Sequence, residues 1–256
     1  MIRLFTSVYP ERYVRRRSEV EECLRRNLAS PAIQLVGVFL ENLEHAPAEN
    51  AKLQTRCIGH RPKYEDFFQW ASECQATDTD LTIIANSDIY FDNSVQVLAA
   101  ALRPSQCAAL SRWDVASNSQ CVLSDRNDSQ DAWVFRGSLR SIRGDFSVGV
   151  PRCDNRILYE LRRAGYVVIN PAFSIRSFHL HAGQRQEYAG KNLDHFVDPP
   201  YEYLWPHNLW SWPRTVLHNL LHRRSRVGWR LDHRRLNRSL PVRVARKVVR
   251  VVAART

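Results

Sequence analysis

Leu81-Thr82-Ile83-Ile84-Ala85-Asn86-Ser87-Asp88-Ile89-Tyr90-Phe91-Asp92 is the stretch on which the fold turns. Residues 81–85 form a short, uncharged, β-branched run, which fits a strand buried on both faces of a parallel sheet. The chain then changes character within one residue, to an amide, a hydroxyl and a carboxylate. In doubly wound α/β proteins ligands collect at the carboxyl ends of the strands, so Asn86 and Asp88 stand where a ligand would. A carboxylate emerging from a buried strand is placed to hold a hard divalent cation, and that cation can neutralise a diphosphate. The same two side chains would equally serve to cap the next helix.

Working outward, the spacing predicts more of the same alternation. Residues 2–6 read as a strand, and residues 15–28 as a helix with Val20, Leu24 and Leu28 on one face. Residues 33–40 are a second apolar strand. Arg61-Pro62 opens a helix that runs through Phe67, Phe68, Trp70 and Ala71, with proline tolerated in the first turn. Strand, helix, strand, helix, strand is the pattern of an α/β sheet with crossover helices. Beyond Asp92 we expect a helix to about residue 102 and a strand over 108–113. Residues 117–131 read as a polar surface excursion, and 132–135 return to the sheet. A helix over 154–164 is ended by Gly165, and strands follow at 166–169 and up to Phe178. Residues 199–212 are rich in Pro, Tyr and Trp and suit a lid or connector.

The 256 residues carry a net charge of +11, unevenly spread. Residues 211–256 hold 13 of the 37 Lys and Arg but only one of the 26 acids, Asp232, which leaves 24 basic and 25 acidic residues for the rest. A near-neutral body with a basic appendage argues against a nucleic-acid binder, since the tail carries no recognisable nucleic-acid motif. We therefore expect three parts: a catalytic body over 1–198, an aromatic and basic connector over 199–240, and a basic amphipathic helix over 241–256. In that helix Arg243, Arg246, Lys247 and Arg250 share one side and valines fill the other. Such a helix can lie in an anionic membrane interface, or its valines can dock on the body. Six scattered cysteines without a Cys-x-x-Cys pair point to reduced thiols and a reducing compartment. The start of the chain lacks the apolar core of a signal peptide, and no run of about 20 apolar residues is present. The expected location is cytoplasmic, peripheral at the inner face of the membrane if the tail binds it.

Two further elements carry chemistry. Asp154 stands at the start of the 154–164 helix, where an acid can also be a plain cap. In Phe178-His179-Leu180-His181, strand alternation puts both histidines on one face, as ligation of a metal requires. The order of these segments resembles that of GT-A glycosyltransferases, especially family-2-like bacterial enzymes, over roughly positions 1–185. Asn86-x-Asp88 stands in the place of their Asp-x-Asp motif, with a neutral amide for the first acid. Asp154 matches the acidic motif that supplies the base in inverting members, although no acid precedes it here. His181 or His179 matches the histidine that completes the metal site.

The resemblance implies an α/β fold of GT-A (Rossmann-like) type, with a mixed, mostly parallel sheet flanked by helices. It implies transfer of a sugar from a nucleotide-diphosphate sugar to an acceptor hydroxyl on a glycan or lipid-linked molecule, in cell-surface glycan synthesis. Mn²⁺ or Mg²⁺ would be held by Asp88 with His181 or His179, and Asp154 would be the base, with Asp131 in reserve. Thr6, Glu41 and Arg61, together with Asn86 and Asp88, would meet the nucleotide. The competing readings are a metal-dependent nucleotidyltransferase, a carbohydrate-binding pseudoenzyme that the neutral Asn86 would suit, and a nucleic-acid-binding protein led by the tail.

Overall fold

The computed structural model describes residues 1–11, 13–116, 120–180 and 196–209. The expected 241–256 helix, His181 and most of the 199–240 connector lie outside them. Eleven strands and four α-helices are described. In chain order they begin with β1 (Ile2–Val8), α1 (Val14–Ala29), β2 (Leu35–Leu40), β3 (Leu53–Cys57), α2 (Tyr64–Glu73), β4 (Leu81–Ala85) and β5 (Ile89–Phe91). They continue with α3 (Val97–Ala101), β6 (Gln106–Leu110), β7 (Trp113–Val115), β8 (Cys121–Leu123), β9 (Ala132–Arg136), α4 (Cys153–Arg163), β10 (Val167–Ile169) and β11 (Ser177–Leu180).

The main sheet has seven strands in the order β10-β6-β9-β4-β1-β2-β3. All its neighbours are parallel except β9, which is antiparallel to both β4 and β6. This is the mixed, mostly parallel sheet expected for a GT-A-type chain. Strand alternation sorts the core by chemistry. Leu4, Val38, Ile83 and Val134 face an aliphatic side together with Leu24 of α1 and Leu98 of α3. Phe5, Phe39, Ile84 and Trp133 face an aromatic side with Phe67 and Trp70 of α2 and Ile157 of α4. Phe5 and Phe39 meet the Trp70 ring edge-on, at centroid distances of 5.3 and 4.7 Å.

Several boundaries differ from the sequence reading. The helix expected to about 102 is a 3-10 turn over Asn93–Gln96 followed by the short α3. The strand expected over 108–113 ends at Leu110, and Trp113 begins a different strand, in a second sheet. That sheet has the order β5-β11-β7-β8 and went unread as a unit, because each strand has only three or four residues. So short a run shows no clear periodicity. The polar 117–131 excursion contributes one of its strands, β8. Gly165 closes α4 as expected, with φ +87 and its N–H on the Arg162 carbonyl. Residues 199–208, assigned to a separate connector, pack on the body, with Leu204, His207 and Asn208 buried. No described helix is long and apolar enough to cross a membrane.

Candidate active site

The sheet topology decides which side chains meet. Parallel strands β1, β2, β4 and β6 end on one side of the sheet, delivering Ser7, Glu41, Asn86 and Arg112 there. Because β9 runs the other way, it is its beginning that lies at that edge. Ala132 stands opposite both Ala85 and Leu110, so Asp131 is inserted between the ends of β4 and β6. Its N–H donates to the Leu110 carbonyl (2.9 Å) and its carbonyl accepts from Asn86 N–H (3.0 Å). The Asn86 Nδ2 also donates to Asp131 Oδ1 at 3.0 Å.

These residues border a cleft of about 160 Å³ that also takes in Tyr9, Arg16, Arg61, Ser87, Asp88, Ser129, Arg152 and Asp154. Gly149 shapes one wall. Its φ of +73 suits glycine, and a Cβ there would stand 3.1 Å from Arg61 Nη2. Arg152, also left-handed at φ +73, is the N-cap of α4, so Asp154 is not the cap that its position suggested but lies in the first turn.

Asp88 is 3% exposed, and His179 1%. The small sheet brings them together: β11 lies between β5 and β7, with His179 opposite Ile89 and Asp114. His179 Nε2 is 3.0 Å from Asp88 Oδ2, and Nδ1 is 2.7 Å from Asp114 Oδ1. The Arg16 guanidinium from α1 contacts the same Asp88 oxygen. Burial alone would lower the His179 pKa, but the hydrogen bonds to Asp114 and Asp88 raise it to about 9. Burial would raise Asp88, yet the hydrogen bond and charge of His179, with Arg16, hold its carboxyl well below the usual range. The chain of charge continues. Arg112 Nε donates to Asp114 at 2.9 Å, and its Nη1 donates to Ser129 Oγ at 3.1 Å and to Asp131 Oδ2 at 3.2 Å.

Asp154 stands apart from these pairs. Burial against the cleft wall and the negative charge of Asp131 move its pKa well above the ordinary carboxylate range, and the Cys153 thiol, donating at 3.3 Å, only partly offsets them. The cleft therefore holds Asp131, paired with Arg112, beside a carboxyl, Asp154, that keeps its proton well above the ordinary carboxylate range. A carboxyl so perturbed in a cleft is a candidate acid–base group.

Of the residues singled out from the sequence, Asn86, Asp88, Asp131, Asp154, Glu41 and Arg61 all border the cleft. Thr6 does not: it is 5% exposed within β1, which runs on to Val8, and the next residue, Ser7, takes the position expected of it. His179 is packed behind Asp88, and His181 lies outside the described residues. Sequence reasoning missed Arg16, Arg112 and Asp114. Arg112 lies two residues beyond the end of β6 but inside the strand that the sequence reading carried to 113, so the strand-end rule that found Asn86 passed over it. Arg16 lies in an Arg15-Arg16-Arg17 run, but it stands four residues before Val20 and eight before Leu24, so the helical spacing that set their face also picks it out.

A divalent cation fits this corner in part. Asp88 would offer its carboxylate, but His179 could offer Nε2 only after losing the proton that its raised pKa of about 9 keeps there, with Nδ1 then donating to Asp114. Asn86 Oδ1 is buried without a hydrogen-bond partner and offers a third donor. Among the described residues no three His, Cys, Asp or Glu side chains group as a metal site, so the fit rests on two such side chains and an amide oxygen. The Arg16 guanidinium occupies the same carboxylate oxygen and would compete with the cation for it.

No protein-family model matches this sequence, and no curated protein does. Among solved structures the chain is similar to the mannosyltransferase PcManGT from Pyrobaculum calidifontis, solved in complex with GDP-Man and Mn²⁺. That likeness has 12% identity and a TM-score of 0.43, over 73% of this chain and 58% of that one. It is also similar to residues 1–349 of S. aureus TarS, with 9% identity and a TM-score of 0.38 over 80% of this chain and 60% of that one. The 2-C-methyl-D-erythritol 4-phosphate cytidylyltransferase (IspD) of Francisella tularensis matches with 11% identity and a TM-score of 0.37, over 53% of this chain and 72% of that one. The chain thus spans about three fifths of the length of the first two.

The pairing of Arg112 with both Asp131 and Asp114 gives a stability prediction. Arg112→Gln leaves Asp131, with its side chain 6% exposed, without its cation. The expected loss is about 3 kcal/mol, the low end for a broken buried pair because Asp114 is partly exposed. Urea unfolding at pH 7 measures it. Adding Asp131→Asn should recover part of the loss, and strictly additive effects would show that the pair is not coupled.

Proposed function

We propose that this chain is a glycosyltransferase that moves a sugar from a nucleotide-diphosphate sugar to an acceptor hydroxyl, with inversion at the anomeric carbon. The observation that carries the proposal is the pairing, in one strand-end cleft, of Asp154 with its raised pKa and an Asn86–Asp88 corner lined by Arg16, Arg61 and Arg112. In this reading the diphosphate lies over that corner and its charge meets the guanidinium groups. Mn²⁺ or Mg²⁺ at Asp88 and His179 would add charge stabilisation of the leaving diphosphate. Asp154 accepts the proton of the acceptor hydroxyl, whose oxygen bonds to the anomeric carbon as the bond to the diphosphate oxygen breaks. Glu41, half-buried and raised in pKa by that burial, borders the nucleotide end.

A thermal-shift screen of nucleotide sugars, with and without Mn²⁺, tests donor and cation together. Stabilisation by a nucleotide sugar that grows with Mn²⁺ is the expected result, and a flat response to every donor would remove the reading. The product separates the rival enzyme, since transfer releases a nucleoside diphosphate and a nucleotidyltransferase releases pyrophosphate.

For the base, Asp154→Asn should keep donor binding and lower kcat by about 10²–10⁴. The base works only when ionised, so kcat should rise with pH through the raised Asp154 pKa, and the Asn variant should lose that limb. A mild Asp154→Asn beside a damaging Asp131→Asn would exchange the two roles.

The proposal extends to location through the sequence pattern of residues 241–256, which lie outside the described residues. The intact protein should sediment with vesicles containing anionic lipid, less so at high salt. Removal of 241–256 should release it while transfer to a soluble acceptor persists, and indifference of the intact chain to such vesicles at low salt would end the membrane reading.

A further inference from the structure

The two carboxyls of the cleft are held by different chemistry. Asp131 takes a guanidinium, that of Arg112. Asp154 takes a thiol: Cys153 Sγ donates to its Oδ1 at 3.3 Å. Behind the thiol stands Tyr64, the first residue of α2, whose hydroxyl donates to Cys153 Sγ at 3.8 Å. The Gly149 backbone also hydrogen-bonds that sulfur. A thiol has a single hydrogen to give. With Tyr64 and Gly149 directed at the sulfur, that hydrogen is left for Asp154. The run therefore has a direction, hydroxyl to thiol to carboxylate, and it joins α2 to the first turn of α4 across 89 positions of sequence.

Both donors are built into the core. Tyr64 is 0% exposed and Cys153 2%. The Tyr64 ring lies 5.0 Å from that of Trp133 and 5.2 Å from that of Phe146, and its N–H donates to the Phe146 carbonyl. Phenylalanine would fill the same space, so what the tyrosine adds is the contact to Cys153. Burial pushes the phenol and the thiol well above their ordinary ranges, so both stay protonated donors while Asp154 titrates. Besides Cys153 on its own helix, Asp154 faces the charges of Asp131, Arg112 and Asp128 and the phenol of Tyr64. Arg61, Arg152 and Asp88 border the same cleft.

A general base must be aimed and must stay basic. A guanidinium bonded to Asp154 would aim it but strongly favour its ionised form, since charge-assisted hydrogen bonds are about twice as strong as neutral ones. A thiol is a weak, uncharged donor, so it fixes the carboxylate at little loss of basicity. We propose that Cys153 and Tyr64 are positioning residues, which aim the Asp154 carboxylate through this neutral relay. The proposal rests on the transferase reading above and adds to its base the two side chains that orient it.

The test compares the full-length wild type with Cys153→Ala, Cys153→Ser and Tyr64→Phe. Cys153→Ala should lower kcat about tenfold and leave the donor KM unchanged. It should also move the rising limb of kcat upward by about half a pH unit to one, because a donor to the ionised carboxylate is gone. Cys153→Ser should recover most of kcat and bring the limb back. Tyr64→Phe should shift it in the same direction as the Ala variant, but less. Asp154 can also be titrated without substrate, by ¹³C NMR of aspartate-labelled protein, with Asp154→Asn assigning the signal. The same shift and recovery should appear there. An unshifted titration in Cys153→Ala would overturn the relay. So would a loss of kcat that Ser does not recover, or that leaves the limb in place, since either would mark the thiol as packing alone. Failure of the transferase reading looks different: the wild type would turn over no nucleotide sugar, while the titration would still report on the relay.

Discussion

An ionised carboxylate as buried as Asp88 carries an effective penalty of several kcal/mol unless cations and hydrogen bonds meet it. Much of the structure answers that requirement. Arg16 reaches it from α1, and His179 from the small sheet. His179 in turn needs Asp114, Asp114 shares Arg112, and Arg112 holds Asp131. One connected run of alternating charge thus serves the cleft, with Arg16, Asp88, Arg112 and Asp131 lining it and His179 packed behind Asp88. Such a network is costly to satisfy partially and rigid when satisfied fully. That rigidity is what a site needs if it is to meet a diphosphate without reorganising.

The second constraint is the single antiparallel strand. Had β9 run parallel to its neighbours, Asp131 would lie at the far edge of the sheet, and Asn86 and Arg112 would lose their shared partner. The reversed strand inserts an acid between two parallel strand ends, and that acid's charge helps to keep the proton on Asp154. Strand direction thus adds to burial in raising the Asp154 pKa, and it acts through distance rather than through any local motif.

The small sheet shows how a modest element can serve a site. Its four strands are short, yet their register places His179 opposite Asp114 and beside the residue that follows Asp88. Trp113, in the same sheet, donates its indole N–H to the Ala172 carbonyl and helps to fix β7. Residues 197–208, which lack regular secondary structure, tie the start of α4 to the segment before β9, with Glu202 N–H on the Asn155 carbonyl and Leu204 N–H on that of Asn127.

The sequence by itself determined the alternating strands and helices, because continuous apolar runs such as 81–85 and the helical spacing of Val20, Leu24 and Leu28 are local signals. It also marked Asn86, Asp88 and Asp154, because strand ends and helix starts are where polar side chains become available to a ligand. Resemblance in the order of those segments added Asp131, Glu41 and Arg61 near the same place, and all three border the cleft. Only the tertiary structure decided that Arg16, Arg112 and Asp114 belong with them, that Thr6 turns into the core, and that His179 stands behind Asp88. Those relations depend on strand direction, register and the crossing of α1 over the small sheet, which join Asp114 to His179, Arg16 to Asp88 and Asp88 to His179 across 65, 72 and 91 positions. No periodicity along the chain encodes such a pairing. It arises because buried charges must find opposite charges, wherever the fold happens to bring them.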